Sequence, residues 1–357
     1  MHRACELAER GAANVSPNPP VGAVIVRDGK TLGEGFHHRR GEAHAEVEAL
    51  RRAGDVSGGT LYVSLEPCNH HGRTPPCTEA IVERGIARVV IGALDPNPKT
   101  DGGGVGRLRA AGVEVEVAAD PWAADLIEKF AKAIRTRRPF VTLKMASSLD
   151  GYVAPHPGSH WLTGERSREF VRLLRATHDA VLVGAGTVRV DDPQLTTRPH
   201  YTRRIPYRRV VACETDPVDV ERRIFSAPAD APDAFAPTIV LAPRGAAARF
   251  APLETVADVV YVGGEESSQL DLGQALEALK AGRGIESVLC EGGPTLAGRM
   301  LAGGLVDRVV WLIAPVLLRS ERAVPVLAGA DLATGLQFER SEMLGEDLLL
   351  SAKVEHV

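Results

Sequence analysis

Short apolar runs separated by amphipathic stretches set the rhythm of this chain. Residues 21–26 (VGAVIV), 60–65 (TLYVSL), 87–92 (ARVVIG) and 113–117 (VEVEV) have the length and β-branched content of strands. Asp28-Gly29 turns the first of them into a further strand that runs through Gly35. Helical patterns lie between them at 3–11, 44–53, 78–84 and 106–111, with Gly11, Gly54 and Gly85 as stops. Alternation of this kind predicts a layered α/β domain.

A longer amphipathic stretch, 121–138, reads as one helix. It ends in Arg135-Thr136-Arg137-Arg138 and then Pro139. Cations near a helix C-terminus followed by proline are a stop signal. The domain boundary is placed there, giving domains 1–138 and 139–357.

Beyond the boundary the alternation restarts. Strands are expected at 140–146, 180–184, 209–213, 238–242, 258–262 and 286–290, with a turn at 147–151 and helices at 166–176 and 270–282. Thr163-Gly164-Glu165-Arg166 reads as a cap for the first of those helices, and 199–208 as a loop. Two late apolar runs, 309–314 and 347–353, complete a mostly parallel sheet with antiparallel strands at its C-terminal end.

Composition changes this picture little. A chain of 357 residues, 44% hydrophobic and 25% charged, is large enough for two cores of ordinary make-up. A net charge of −4 gives no general attraction to nucleic acid. No run approaches the ~18–20 apolar residues of a membrane span, and the first residues carry no signal-like apolar run. A cytoplasmic protein without nucleic-acid or membrane partners is expected, and a homo-oligomer. The five cysteines form no disulfide framework. Cys213 and Cys290 end apolar runs and Cys5 sits in a helical pattern, so these three read as packed thiols.

Cys68 and Cys77 differ, because they bracket a polar, Pro-rich segment. With His44 they supply three nitrogen and sulfur ligands, the number a catalytic zinc uses while keeping one position for water. Glu46, two residues after His44, is placed to carry that water's proton. A His-x-Glu with a later Pro-Cys pair is the arrangement of zinc deaminases of nucleobases. The competing reading is a closed zinc site with His70 or His71 as fourth ligand. His37 and His38, taken alone, read as exposed loop histidines.

Eight residues separate Cys68 from Cys77, where nucleobase deaminases commonly carry Cys-x-x-Cys. The segment from Leu65-Glu66-Pro67-Cys68 to Pro75-Pro76-Cys77 resembles the deaminase half of the bifunctional deaminase–reductase family of riboflavin biosynthesis. His44-Ala45-Glu46-Val47, Pro17-Asn18-Pro19 with Val21-Gly22-Ala23-Val24, and Asp95-Pro96-Asn97-Pro98 resemble that family in the same order. The resemblance implies zinc on His44, Cys68 and Cys77, and Glu46 as proton shuttle. It implies substrate contacts at Asn18, His37, Arg73, Asp95 and Asn97. The substrate would be a phosphoribosylated diaminopyrimidinone that loses its 2-amine. Arg73 is a fixed cation suited to its phosphate.

The remaining two thirds resemble the reductase half of the same family. The carrying stretches are Leu143-Lys144-Met145-Ala146-Ser147-Ser148-Leu149-Asp150-Gly151, Gly158-Ser159-His160-Trp161, residues 184–188, Asp191-Asp192-Pro193, and Glu291-Gly292-Gly293-Pro294-Thr295. The implied fold is like dihydrofolate reductase, following a cytidine-deaminase-like zinc domain. The implied reaction is NADPH-dependent reduction of the ribosyl group to ribityl. Ala146, Trp161, Thr187, Asp191 and the run Gly293, Pro294, Thr295, Leu296, Ala297, Gly298 and Arg299 would line the NADPH site. Ser159, Arg175, Leu195, Arg198 and Glu291 would hold substrate, with Arg175 and Arg198 as phosphate clamps. Lys144 and Glu291 are the candidates for managing the proton as hydride reaches C1′.

Two departures stand out. Cys213-Glu214-Thr215 replaces a frequent Asp-Ser, and Glu214 would repel a 2′-phosphate. Residues 154–157 are short and Pro-rich, which would reshape the lip of the reductase pocket. Two other readings compete: a zinc deaminase of another nucleobase with an inactive reductase domain, and a non-enzymatic nucleotide-binding regulator.

Overall fold

The computed structural model describes residues 1–71, 75–97, 103–153, 161–197, 207–227, 236–319, 323–329 and 334–355. The chain divides into two compact units, Met1–Arg137 and Arg138–Val357.

The first unit runs α1 (His2–Gly11), β1 (Gly22–Arg27), β2 (Lys30–Phe36), α2 (Ala45–Arg52), β3 (Thr60–Leu65), α3 (Cys77–Glu83), β4 (Arg88–Ala93), α4 (Gly103–Ala110), β5 (Glu114–Val117), α5 (Pro121–Leu126) and α6 (Glu128–Arg135). Its sheet has the order β2-β1-β3-β4-β5. β1 pairs antiparallel with β2 and β3, while β3, β4 and β5 are parallel.

Alternation along β1 divides the core. Ala23 and Ile25 face a cluster with Ala49, Ile81 and Leu108, which are contributed by α2, α3 and α4. Val24 faces the other way, onto Ala4 and Leu7 of α1. Burial of each such Ile or Leu stabilises by roughly 1.5–3 kcal/mol before entropy is counted. Function follows from one consequence of this layering: α2 and α3 lie on the same face and present their N-termini to the same end of the sheet's central strands.

The single helix expected at 121–138 is two. Asp120 caps α5 through the Ala123 amide at 3.0 Å. The chain then leaves helical geometry at Ile127 (φ −102°, ψ 2°). No glycine or proline marks the break. Ile127 is buried with Cys5, Leu65, Ala93 and Ala123, and that packing takes precedence over helical continuity.

The second unit runs β6 (Phe140–Ser148), β7 (Tyr152–Val153), α7 (Glu165–Ala176), β8 (Ala180–Gly184), α8 (Ala185–Asp191), β9 (Arg208–Ala212), β10 (Thr238–Pro243), α9 (Ala247–Phe250), β11 (Ala257–Val262), α10 (Leu272–Arg283), β12 (Ser287–Cys290), α11 (Pro294–Ala302), β13 (Arg308–Ala314), β14 (Val324–Pro325), β15 (Gly335–Leu344) and β16 (Asp347–Glu355). Nine strands form one sheet, β11-β10-β9-β8-β12-β6-β13-β16-β15. From β11 to β13 every pairing is parallel, and β16 and β15 join antiparallel at the C-terminal end. In such sheets ligands gather beyond the carboxyl ends of the strands.

Two expectations change in detail, and one strand is new. β6 runs on to Ser148 before turning. Residues 163–166 supply no side-chain cap to α7; Asp347 accepts from the Gly164 amide (2.8 Å) and from the Ser167 hydroxyl instead. β15 was not anticipated, because most of its positions are exposed and no apolar face announces it. Cys5, Cys213 and Cys290 are fully buried, and all five cysteines are free.

Candidate active sites

In the first unit three separate elements deliver one cluster. His44 occupies the N-cap position of α2, Cys77 opens α3, and Cys68 follows β3. The His44 Nδ1 lies 3.2 Å from the Cys77 Sγ and 3.5 Å from the Cys68 Sγ. The three ligand atoms all lie within 4.8 Å of one another. Zinc bonds of about 2.0 Å to nitrogen and 2.3 Å to sulfur imply tetrahedral edges of about 3.5–3.8 Å. The donor set therefore fits zinc in both chemistry and spacing.

The electrostatics agree. A hydrogen bond from Cys77, together with His44, holds the Cys68 thiol down at about 4 against its burial. Cys77 is pushed up by Cys68 and by burial. Glu46 is 3% exposed, and burial pushes its carboxyl up, with the His44 charge opposing. His71 instead lies 3.4 Å from Glu79, and neither it nor His70 joins the cluster among the described residues, so the closed-site reading loses its fourth ligand.

A cavity of about 380 Å³ opens onto the cluster, lined among others by Asn18, His37, Glu46, Cys68, Asp95 and Asn97. Residues from five separate segments, all named from the sequence, thus share one pocket. His37 corrects the reading of an exposed loop histidine: it is 3% exposed. Its Nδ1 lies 3.1 Å from the Ala43 carbonyl and its Nε2 3.3 Å from the Asn18 amide nitrogen. A carbonyl only accepts, so Nδ1 carries the proton and Nε2 accepts from Asn18. Glu66 also lines the cavity, and sequence reasoning assigned it no role. Arg73 lies outside the described residues.

In the second unit a charged cluster sits where β6, α7 and β12 meet. Glu291, just past β12, is held bidentately by Arg175 of α7, at 2.5 Å (Nε–Oε1) and 2.8 Å (Nη2–Oε2). The Arg175 Nη1 donates to the Thr196 carbonyl at 2.9 Å. The guanidinium expected to clamp a phosphate is thus committed to protein acceptors. Burial lowers the pKa of the neighbouring Lys144 ammonium, with Glu291 opposing and Arg175 adding to the effect. For Glu291 burial raises the pKa, and Arg175 outweighs it so that the net shift is downward.

Beside this cluster β12 passes through Gly292 and Gly293 into α11. A Cβ on Gly293 would lie 3.1 Å from the Thr187 hydroxyl, so glycine leaves open a cradle at the helix N-terminus. Free amides at such an end favour a phosphate or pyrophosphate, which fits a dinucleotide. Leu296, Ala297 and Gly298 are buried against the protein, whereas Thr295 is exposed. Arg299, in the last turn, pairs with Glu214 and donates to the Leu270 carbonyl. The negative charge expected to repel a 2′-phosphate is therefore partnered. Ala146 packs beside Val171 and Leu312. Trp161 is exposed, with Arg168 over its ring at 5.5 Å. Asp191 ends α8, exposed. The Leu195 side chain is buried in the sheet's other core, and its carbonyl accepts from the Tyr207 hydroxyl. Ser159, Arg198, Pro98 and residues 154–157 lie outside the described residues.

Known proteins resemble this chain over its whole length. The cytidine and deoxycytidylate deaminase zinc-binding region matches residues 1–93, and the RibD C-terminal domain matches residues 139–350. The riboflavin biosynthesis protein RibD of Escherichia coli is 42% identical over 98% of this chain and 97% of its own length. That of Aquifex aeolicus is 39% identical over 99% and 97%. The solved structure of Acinetobacter baumannii RibD superposes with a TM-score of 0.83 at 36% identity, covering 100% of this chain and 98% of that one. A diaminohydroxyphosphoribosylaminopyrimidine deaminase/5-amino-6-(5-phosphoribosylamino)uracil reductase from Thermotoga maritima gives 0.81 at 35% identity, covering 99% and 97%.

Proposed function

The chain belongs to the RibD family of bifunctional riboflavin-biosynthesis enzymes, and from that premise we propose how its own residues divide the work. It is a deaminase and a reductase that uses zinc and NADPH. The substrate is a phosphoribosylated diaminopyrimidinone, which first loses an amine and is then reduced from ribosyl to ribityl. We assign the first step to residues 1–138 and the second to 139–357.

For the deamination His44, Cys68 and Cys77 hold the metal. Bound zinc supplies Lewis acidity that brings the pKa of a water toward neutrality. Glu46 would take one proton from the water and pass it to the ring nitrogen, then carry the second to the departing amine, so one water enters and one ammonia leaves. A buried carboxyl with a raised pKa suits both halves of that transfer. Asn18, His37, Asp95 and Asn97 orient the pyrimidine, and Arg73 meets the phosphate. The single observation carrying this step is the approach of the His44, Cys68 and Cys77 ligand atoms beside buried Glu46.

For the reduction the α11 N-terminus at Gly293, Pro294 and Thr295, with Thr187, Ala146, Trp161 and Asp191, forms the cofactor side. NADPH supplies the hydride. Arg175 fixes the Glu291 carboxylate, and Lys144 would deliver the proton that balances the hydride: the C1′–O bond of the sugar ring breaks, the hydride adds at C1′, the proton ends on the freed oxygen as a hydroxyl, and the C1′–N bond is kept. Ser159, the Leu195 backbone and Arg198 complete the substrate side.

We place the enzyme in the cytoplasm, supported by five free cysteines. Among the described residues no helix is long and apolar enough to cross a membrane. We also propose a homo-oligomer, supported by the exposed Phe338 and Met343 on the edge strand β15. The test of the function is turnover of the diaminopyrimidinone with and without NADPH, with products identified by mass. The expected results are a deaminated ribosylamino product without NADPH and a ribityl product with it; unchanged substrate would overturn the assignment.

A further inference from the structure

One buried carboxylate gathers three backbone donors from two segments. The Glu66 side chain is 5% exposed. Its Oε1 accepts from the amides of Gly104 and Val105, each at 3.0 Å, at the start of α4. Its Oε2 accepts from the Asp95 amide at 3.2 Å. The Glu66 amide donates to the Ala93 carbonyl at 2.9 Å. Glu66 is therefore tied to the β4 end at both main chain and side chain.

What Glu66 joins is functional on both sides. Cys68, a zinc ligand, follows two residues later. Asp95 lines the pyrimidine cavity, and its Oδ1 accepts from the Asn97 amide at 2.9 Å, which turns Asn97 toward the same cavity. Room for the contact depends on Gly104. A Cβ there would lie 2.1 Å from the Pro67 carbonyl oxygen and 3.1 Å from the Glu66 Oε1. The close approach of α4 to the Glu66-Pro67 segment is thus built for this carboxylate.

We propose that Glu66 is a positioning residue for the deaminase: it fixes the Asp95–Asn97 loop relative to the zinc-binding segment and so sets how the pyrimidine is held. It touches no reacting atom in this account and acts through Asp95 and Asn97. The inference rests on the deaminase reading above.

The two oxygens allow a clean test. In E66Q the single amide oxygen satisfies the paired amides of Gly104 and Val105. The amide NH2 then faces the Asp95 N–H, donor against donor, and that tie is broken while α4 keeps its anchor. E66Q should hold zinc as wild type does, yet lose roughly 10- to 100-fold in kcat/KM for ammonia release, carried mainly by KM. Hydrogen exchange should quicken at the Asp95 amide and stay slow at Gly104 and Val105. The effect should not add to that of N97A, because both act through one loop. E66D, one methylene shorter, should show the same KM-dominated loss.

Wild-type ammonia release is the control that separates two failures. If the wild type releases none from the diaminopyrimidinone, the deaminase reading itself falls. If it does, and E66Q stays within twofold or adds fully to N97A, the positioning role is overturned. Loss of zinc and of the folded first unit in both E66Q and E66D would overturn it as well, making Glu66 a folding residue.

Discussion

Arg175 and Glu291 lie 116 positions apart in sequence and form a two-pronged ion pair, with side chains only 18% and 9% exposed. The pair links α7 to the end of β12, and the Glu291 charge supports the buried Lys144 ammonium against its desolvation. Removing one partner strands the other. R175M should therefore destabilise the second unit by about 3 kcal/mol in denaturant unfolding and abolish NADPH consumption. The double variant R175M/E291L should recover stability without recovering activity.

The same pair carries a pH signature. Burial pushes the Glu291 carboxyl up, but Arg175 more than compensates, and its pKa sits below the ordinary value of 4.5. A lowered carboxyl pKa contributes stability that is present above the unfolded value and lost as pH falls through the folded one. The stability difference between wild type and R175M should be full at neutral pH and narrow below about 4.5. A constant difference across that range in urea titrations would contradict the pairing.

Removing the metal should separate the two activities. A chelator, or C68S, should stop ammonia release while NADPH consumption on the deaminated pyrimidine continues unchanged. Metal analysis after gel filtration checks the stoichiometry. Loss of both activities together would show that the second step also needs the first unit intact.

Asp347 offers a purely structural prediction. It begins β16, yet its carboxylate serves as the missing N-terminal acceptor of α7, taking the Gly164 amide and the Ser167 hydroxyl. D347A should cost about 1–2 kcal/mol in unfolding and leave zinc content and ammonia release untouched.

These relationships mark where sequence reading stops. The strands that read most clearly are buried on both faces, such as 180–184 and 238–242, because burial imposes an apolar run. β15 is an exposed edge, so nothing in its composition separates it from a loop. The break at Ile127 arises from tertiary packing and has no local signal. The His44–Cys68–Cys77 cluster was legible because metal chemistry restricts residue types and spacing. The Arg175–Glu291 pair and the three amides on Glu66 were not, because long-range geometry decides which acceptor a guanidinium or an amide meets. His37 read as a loop histidine for the same reason: its burial comes from contacts with Asn18 and Ala43 that spacing does not encode.

The central claim is that one chain carries two separable steps, the first dependent on Glu46. E46Q tests it most directly. With zinc retained, E46Q should release ammonia from the diaminopyrimidinone at least about 100-fold more slowly than wild type and consume almost no NADPH on that substrate. Given the already deaminated ribosylaminopyrimidine, it should consume NADPH at the wild-type rate. Ammonia release by E46Q at the wild-type rate, or failure to reduce the deaminated substrate, would contradict the account.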